Sequence, residues 1–373
     1  MRVVVKIGTS SLTTESGSLQ ASAVGKLAGE VATVMADGHQ VVIVTSAAVA
    51  AGLPALGFDS DSRPRDPVLL RAASAIGQIS IIAAYREALG ERGLVAGQVL
   101  LAPTDFWFRN RYLKSRGTIG ALLDRDVVPV INENDVVADD EIRFGDNDRL
   151  AALVAHLIDA DRLILLTDTP GLFTADPRVD TSASLIEEIV ELDQRLEDMA
   201  GGPGSAGGRG GMASKLAAAK IATWSGVETV IAHSERHDVV SDAVAGADGV
   251  GTVFRARSGR LPARKLWIAF ALPSSGRIVV DAGARQALEQ RQGSLLAAGV
   301  LKSEGFFSAD EAVEVVDETG EIFAKGLVQW ESEALNRHAG QRTADLPSEL
   351  LDDGNGPRTI AVIHRDDLVM LPS

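Results

Sequence analysis

Apolar and polar positions divide the chain into short, unbroken apolar runs and longer stretches with apolar residues three and four apart. RVVVKI at 2–7, VVIV at 41–44, the segment 95–101, VVPVI at 127–131, RLILLTD at 162–168 and ETVIAH at 228–233 predict buried strands. Between them, 22–37 places Val24, Leu27, Val31 and Val34 at helical spacing, and 67–90, LAALVAHLIDA and MASKLAAAKIATWSG read as further helices. Strands alternating with helices imply an open α/β sheet. Leu56 to Pro67 is rich in Asp, Ser, Arg and Pro and reads as a surface loop. Thr104 to Thr118, with Arg109, Arg111, Lys114 and Arg116, reads as a partly exposed helix rather than a nucleotide-facing patch.

Several strands run into small polar turns: Gly8-Thr9-Ser10-Ser11, Thr45-Ser46-Ala47-Ala48 and Thr167-Asp168-Thr169-Pro170-Gly171. Such turns offer backbone N–H groups, and a helix start, to a negative ligand. The strand at 127–131 leads into a denser cluster, Asn132, Glu133, Asn134, Asp135, Asp146, Asn147 and Asp148. Open α/β sheets bind ligands outside the carboxyl ends of their strands, so this stretch is expected to floor a site. A solvated acidic loop would have the same composition. Lys6 reads equally as an edge charge, Ser46 as an N-cap, and His156, inside an apolar helix, as a core histidine.

Residues 200–211, AGGPGSAGGRGG, hold seven glycines in twelve positions and enter a helix. Such a loop lets backbone approach phosphates closely. Lys215 falls in the first turn of that helix, where a cation is unfavourable unless an anion is held nearby. The P-loop pattern G-x-x-x-x-G-K-[ST] is absent.

Past Phe254 the texture changes. RARSGRLPAR, at 255–264, reads as a linker, and 265–373 carries KLWIAFAL, GRIVVDAG, SLLAAGV, EAVEVVD, GEIFAKGLVQW and TIAVIHRDDLVML, a succession of short strands that suggests a small β-barrel. The chain's 373 residues suit two domains. With no cysteine it has neither disulfides nor thiolate metal sites, which fits a reducing compartment. No signal peptide or span-length apolar run is evident, so a cytoplasmic protein without a membrane is expected. The formal charge of −15 opposes non-specific binding to nucleic acid, and would repel anionic substrates unless local cations overcome it.

Taken together and in order, VVVKIGTSSL, VVIVTSAAVAAG, VPVINENDVVA, FGDNDRLAALVA, LLTDTPGLFTADPR and GGRGGMASKLAAAK closely resemble the glutamate 5-kinases of proline biosynthesis, a branch of the amino-acid kinase superfamily. The likeness spans residues 1–254, and the tail at 265–373 resembles a PUA domain. The resemblance implies an α/β/α sandwich around an eight-stranded, mainly parallel sheet, with ATP and Mg²⁺ at the strands' carboxyl ends and L-glutamate beside them. It implies that Lys6 and Lys215 flank the transferred phosphoryl group and that Asp148 orients both lysines. Ser46, Asp135 and Asn147 would bind glutamate. Lys6, Thr167 and Asp168, with the loop Arg209, Gly210, Gly211, Met212, Ala213, Ser214 and Lys215, would hold the nucleotide. No protein-built metal site is expected. The reaction implied makes an acyl phosphate from an already ionised carboxylate, so no general base is needed.

The same resemblance implies a homo-oligomer, dimer or tetramer, proline as feedback inhibitor, and transient contact with glutamyl-phosphate reductase. RNA binding by the tail is not expected, because residues 260–373 hold 12 Lys or Arg against 17 Asp or Glu. One departure stands out. The family usually has glycine where this chain has Ala47; if that position needs positive φ, alanine costs on the order of 1 kcal/mol.

Overall fold

The computed structural model describes all residues except 15–16, 59–61, 138–146, 178, 191, 193–195, 197–210, 273, 292, 348–360 and 372–373. The chain divides into two compact units, Met1–Arg260 and Leu261–Ser373.

In the first unit the chain runs β1 (Arg2–Ile7), α1 (Thr9–Leu12), α2 (Ala21–Ala36), β2 (Gln40–Val44), α3 (Ala48–Gly52), α4 (Pro67–Gly90), β3 (Val95–Leu101), α5 (Thr104–Trp107), α6 (Arg109–Leu123) and β4 (Val127–Glu133). It continues through α7 (Asn147–Leu157), β5 (Arg162–Thr167), β6 (Glu188–Ile189), α8 (Met212–Trp224), β7 (Glu228–His233), α9 (Val239–Ala245) and β8 (Thr252–Phe254). The eight strands form one sheet in the order β3-β4-β2-β1-β5-β7-β8-β6. The six from β3 to β7 are parallel, and β8 joins β7 antiparallel. This is the mainly parallel α/β sandwich that the resemblance implied.

Strand β1 lies at the centre, which explains its run of valines: both faces are covered. Val3, Val5 and Ile7 join a buried cluster with Val24, Leu27 and Val31 of α2 and Ile81 and Tyr85 of α4. Alternation along the strand sends Lys6 to the other face, where α7 and α8 pack. Helix α4 begins with Asp66 as N-cap, accepting from the Val68 N–H at 2.8 Å, and with Pro67 in the first turn.

Helices α3 and α4 meet backbone to backbone. A methyl group at Gly52 would sit 1.8 Å from the Ala73 carbonyl oxygen, and one at Gly77 would sit 1.8 Å from that of Ala48. The two glycines permit each other's approach, and this clamps the turn after β2 onto α4. Residues 255–260 also pack on the first unit: Arg255 pairs with Glu188 and Glu228, Arg257 stacks 4.6 Å over Trp224, and Arg260 reaches Asp159 and, at 2.7 Å, the His156 carbonyl.

The second unit is a six-stranded sheet, β10-β14-β13-β12-β9-β11, where β9 is Gly276–Val280, β10 Leu295–Leu296, β11 Val300–Gly305, β12 Ala312–Val316, β13 Ile322–Val328 and β14 Ala361–Met370. All pairings are antiparallel except β9 with β12, and irregular registers such as that between Gly326 and Val328 bend the strands. KLWIAFAL, expected as a strand, instead forms α10 (Ala263–Leu266) and a π-helical turn, Trp267–Ala271. An unbroken apolar run of this length fits either structure, and contacts decide it: Ile268 and Ala269 are buried against Ala312, Leu327 and Val369. Helices α11 (Ala282–Arg291) and α12 (Ser332–His338) complete the unit, and neither was expected among the strands.

Candidate active site

Side chains from four strand ends and two helix starts converge at the carboxyl edge of the first sheet. Lys6, near the end of β1, is buried, as is Lys215 in the first turn of α8. Between them lies Asp148, in the first turn of α7 and wholly inaccessible to solvent. Lys6 Nζ is 2.5 Å from Asp148 Oδ1, and Lys215 Nζ is 3.2 Å from Oδ2. The Ser214 hydroxyl also donates to Oδ2, at 2.9 Å. Burial alone would raise the Asp148 carboxyl, but the charges of Lys6 and Lys215, with hydrogen bonds from Lys6 and Ser214, hold it below the ordinary carboxylate range.

Here is the anion that Lys215 required at a helix start. It comes from the protein, and because one carboxylate faces two ammonium groups the cluster keeps a net positive charge. That local surplus answers the repulsion expected from the formal charge of −15.

The described nucleotide-binding candidates sit at the end of β5, which pairs with β1, and at the start of α8. Thr167 ends β5 and its hydroxyl donates to the exposed Asp168 carboxylate at 3.0 Å. Gly211 is the N-cap of α8, its carbonyl accepting from the Ser214 N–H and hydroxyl; Met212 and Ala213 fill the first turn. Arg209 and Gly210, like Asp146, lie outside the described residues.

One residue before Asp148 the chain turns to a second cluster. The Asn147 side-chain amide donates to the Thr45 carbonyl, to Ser46 Oγ at 3.2 Å and to Asn132 Oδ1 at 2.7 Å. Asn132, buried near the end of β4, also accepts from the Glu133 N–H at 2.9 Å. Ala47 follows Ser46 with φ of 78°, the left-handed conformation in which alanine is strained. Asp135 lies in the turn after β4 and accepts from the buried Ser74 hydroxyl of α4 at 2.6 Å. The structure therefore joins Ser46 to Asn147 directly, and ties Asp135, in the turn after β4, to α4. Asn132, Ser74 and Gln78, whose amide donates to the Glu133 carbonyl at 3.4 Å, were not singled out for roles in the sequence. The available signal was a polar pair four residues apart, Ser74 and Gln78, in the mainly apolar middle of the helix.

A cleft of about 240 Å³ opens on the α2 side, lined by Ser10, Ser11, Lys26, Glu30 and Ser234 among others. Its lysine is committed: Lys26 Nζ is 2.5 Å from Glu30 and donates to the carbonyls of Ser234 and Arg236. The chemistry gathers instead on the α7 side.

Residues 1–233 match the model of the amino acid kinase family, and residues 276–350 match that of the PUA domain. The chain belongs to the amino acid kinase family. Curated relatives narrow this: the chain is 42% identical over 370 residues to glutamate 5-kinase of Pelobacter propionicus, covering 99% of this chain and 97% of that one. It is 42% identical over 373 residues to glutamate 5-kinase of Burkholderia mallei, covering 99% and 98%. Among solved structures, UMP kinase from Bacillus anthracis superposes with a TM-score of 0.50 at 15% identity, over 69% of this chain and 96% of that one; this is a likeness of fold alone.

Proposed function

We infer that this chain is an ATP-dependent kinase that phosphorylates the side-chain carboxylate of L-glutamate to L-glutamyl 5-phosphate, the first step of proline biosynthesis. The observation that carries the reading is the Lys6–Asp148–Lys215 cluster set one residue from the Asn147–Ser46 cluster. The full-length likeness to glutamate 5-kinases supports it.

Phosphoryl transfer to a carboxylate poses an electrostatic problem, since an anion must approach a polyphosphate while charge spreads over the transferred group. Lys6 and Lys215 supply fixed positive charge for that group. Asp148 holds both ammonium groups in place, so little reorganisation is needed as charge develops. Thr167, Asp168 and residues 209–215 are proposed to hold the nucleotide, and Ser46, Asn147 and Asp135 the amino acid, Asp135 taking its ammonium.

Mg²⁺ bound to the ATP phosphates would neutralise part of their charge.

We propose further that the enzyme is a cytoplasmic homo-oligomer, inhibited by proline at or near the glutamate pocket, that passes its labile product to a reductase. The sequence had suggested no apolar run of span length, yet α4 qualifies by length and composition. Three of its polar side chains, Ser74, Gln78 and Tyr85, are buried in the fold, which supports a core helix instead. The tail's acidic balance supports a role other than RNA binding.

The direct test is to incubate the protein with ATP, Mg²⁺ and, separately, glutamate, aspartate, N-acetylglutamate, carbamate and UMP, following ADP and trapping acyl phosphate with hydroxylamine. Glutamate alone should yield hydroxamate. Turnover with a different acceptor would keep the kinase and refute the substrate.

A further inference from the structure

We propose that Ser74 of α4 is a positioning residue that sets amino-acid recognition by orienting Asp135, an inference that rests on the reading of Asp135 as the partner of the substrate ammonium. A serine inside a helix ordinarily turns its hydroxyl to solvent or back to the carbonyl four residues earlier. Ser74 does neither. It is 1% exposed, and its hydroxyl crosses to Asp135 Oδ2 at 2.6 Å, a short charge-assisted bond. Asp135 Oδ1 has no hydrogen bond among the described residues, so the carboxylate meets a ligand with one oxygen already fixed.

The donor is neutral, and this matters. A lysine or arginine in the same place would orient Asp135 equally well but would compete with the ligand's ammonium for its charge. A hydroxyl fixes the carboxylate while leaving that charge for the substrate. The helix that carries Ser74 is itself immobilised against the site, because Gly77 lies against the Ala48 carbonyl and Tyr85 is hydrogen-bonded to Thr45 Oγ1 at 3.2 Å. Ser74 thus transmits a fixed frame to a residue in an irregular turn.

The experiment is a double-mutant cycle of Ser74→Ala and Asp135→Asn on the full chain, with melting curves to compare folding. Ser74→Ala should raise the KM for glutamate about tenfold with kcat within about twofold, as expected for loss of one hydrogen bond to a charged group. The inhibition constant of glutarate, which lacks the ammonium, should not move. In the Asp135→Asn background Ser74→Ala should add nothing. An unshifted KM, an equal loss for glutarate, or a full additional loss beside Asp135→Asn would each overturn the role of Ser74. Absence of wild-type turnover with glutamate would overturn the acceptor assignment along with it.

Discussion

The two halves of the proposed site, a phosphoryl end and an amino-acid end, are built from opposite materials. At the phosphoryl end three full charges are buried against one another, Lys6, Asp148 and Lys215, each on a different regular element. At the amino-acid end the connections run mostly through neutral amides and hydroxyls, Asn147, Asn132, Ser46 and Ser74, around a strained turn and the carboxylate of Asp135. The difference follows what each end must do. Charge that develops during reaction needs strong fields that do not move, whereas selecting a zwitterion needs several directional contacts that fit one molecule.

The sharpest way to break this comparison is Lys215→Ala. Steady-state kinetics should show kcat reduced by about 10²–10³, with glutamate binding within about threefold in a separate binding assay. Comparable losses in both would mean that the two ends are not separable.

Gly77→Ala attacks the other end through its support. The new methyl would meet the Ala48 carbonyl, so α3 must retreat from α4 at a cost of about 3 kcal/mol or more. Thermal melting should fall by roughly 6–12 °C, and glutamate KM should rise while the lysine cluster is untouched.

Acid separates the two ends of α7. His156, in its last turn, is held near a pKa of about 4 by burial, with the Arg260 and Arg116 charges reinforcing the effect and Asp159 opposing it. Its folded value lies below the unfolded one, so between about pH 6.5 and about pH 4 the unfolded chain binds more protons and stability falls as pH drops, by on the order of 3 kcal/mol at most. Asp148, in the first turn, is also depressed, and its stabilisation is lost only as pH falls below the ordinary carboxylate range. Melting curves of His156→Leu should flatten the milder window and leave the lower one; an unchanged profile would dismiss His156 as its source.

Ala47→Gly gives the smallest effect. Relief of the left-handed alanine should stabilise the folded chain by about 1 kcal/mol, roughly 2–4 °C, and alter glutamate KM more than kcat. A lower melting temperature would mean that packing of the buried methyl outweighs the strain.

Much of the first unit could be read in advance because buried parallel strands and amphipathic helices leave unambiguous periods, as in RVVVKI and Val24 to Val34. Of the charged cluster, Lys215 alone was legible from its position, since a cation at a helix start asks for an anion; Lys6 read as an edge charge, and its pairing with Asp148 was expected only from the resemblance. Ser74 contradicts nothing locally, and Asn132 stood out only as one member of the polar cluster after β4. Their roles arise from partners 61 and 15 residues away, which only the folded chain supplies. The short run at 265–272 failed as a strand because its length fits two structures and tertiary contacts made the choice. Positive φ at Ala47 could be suspected only from the resemblance, since alanine itself gives no such hint.

Asn147 and Asp148 are consecutive, yet one belongs to each half of the site. On the proposed assignment, the two ends of the site are therefore joined on α7 by a single peptide unit, as rigid as a covalent gauge. A shift of α7 moves Asn147 and Asp148 together, against Lys6, Lys215, Ser46 and Asp135 on other elements. On this reading, discrimination by acceptor length is written into that gauge: aspartate, one methylene shorter, could satisfy the anchor at Asn147 and still present its carboxylate short of the phosphoryl group.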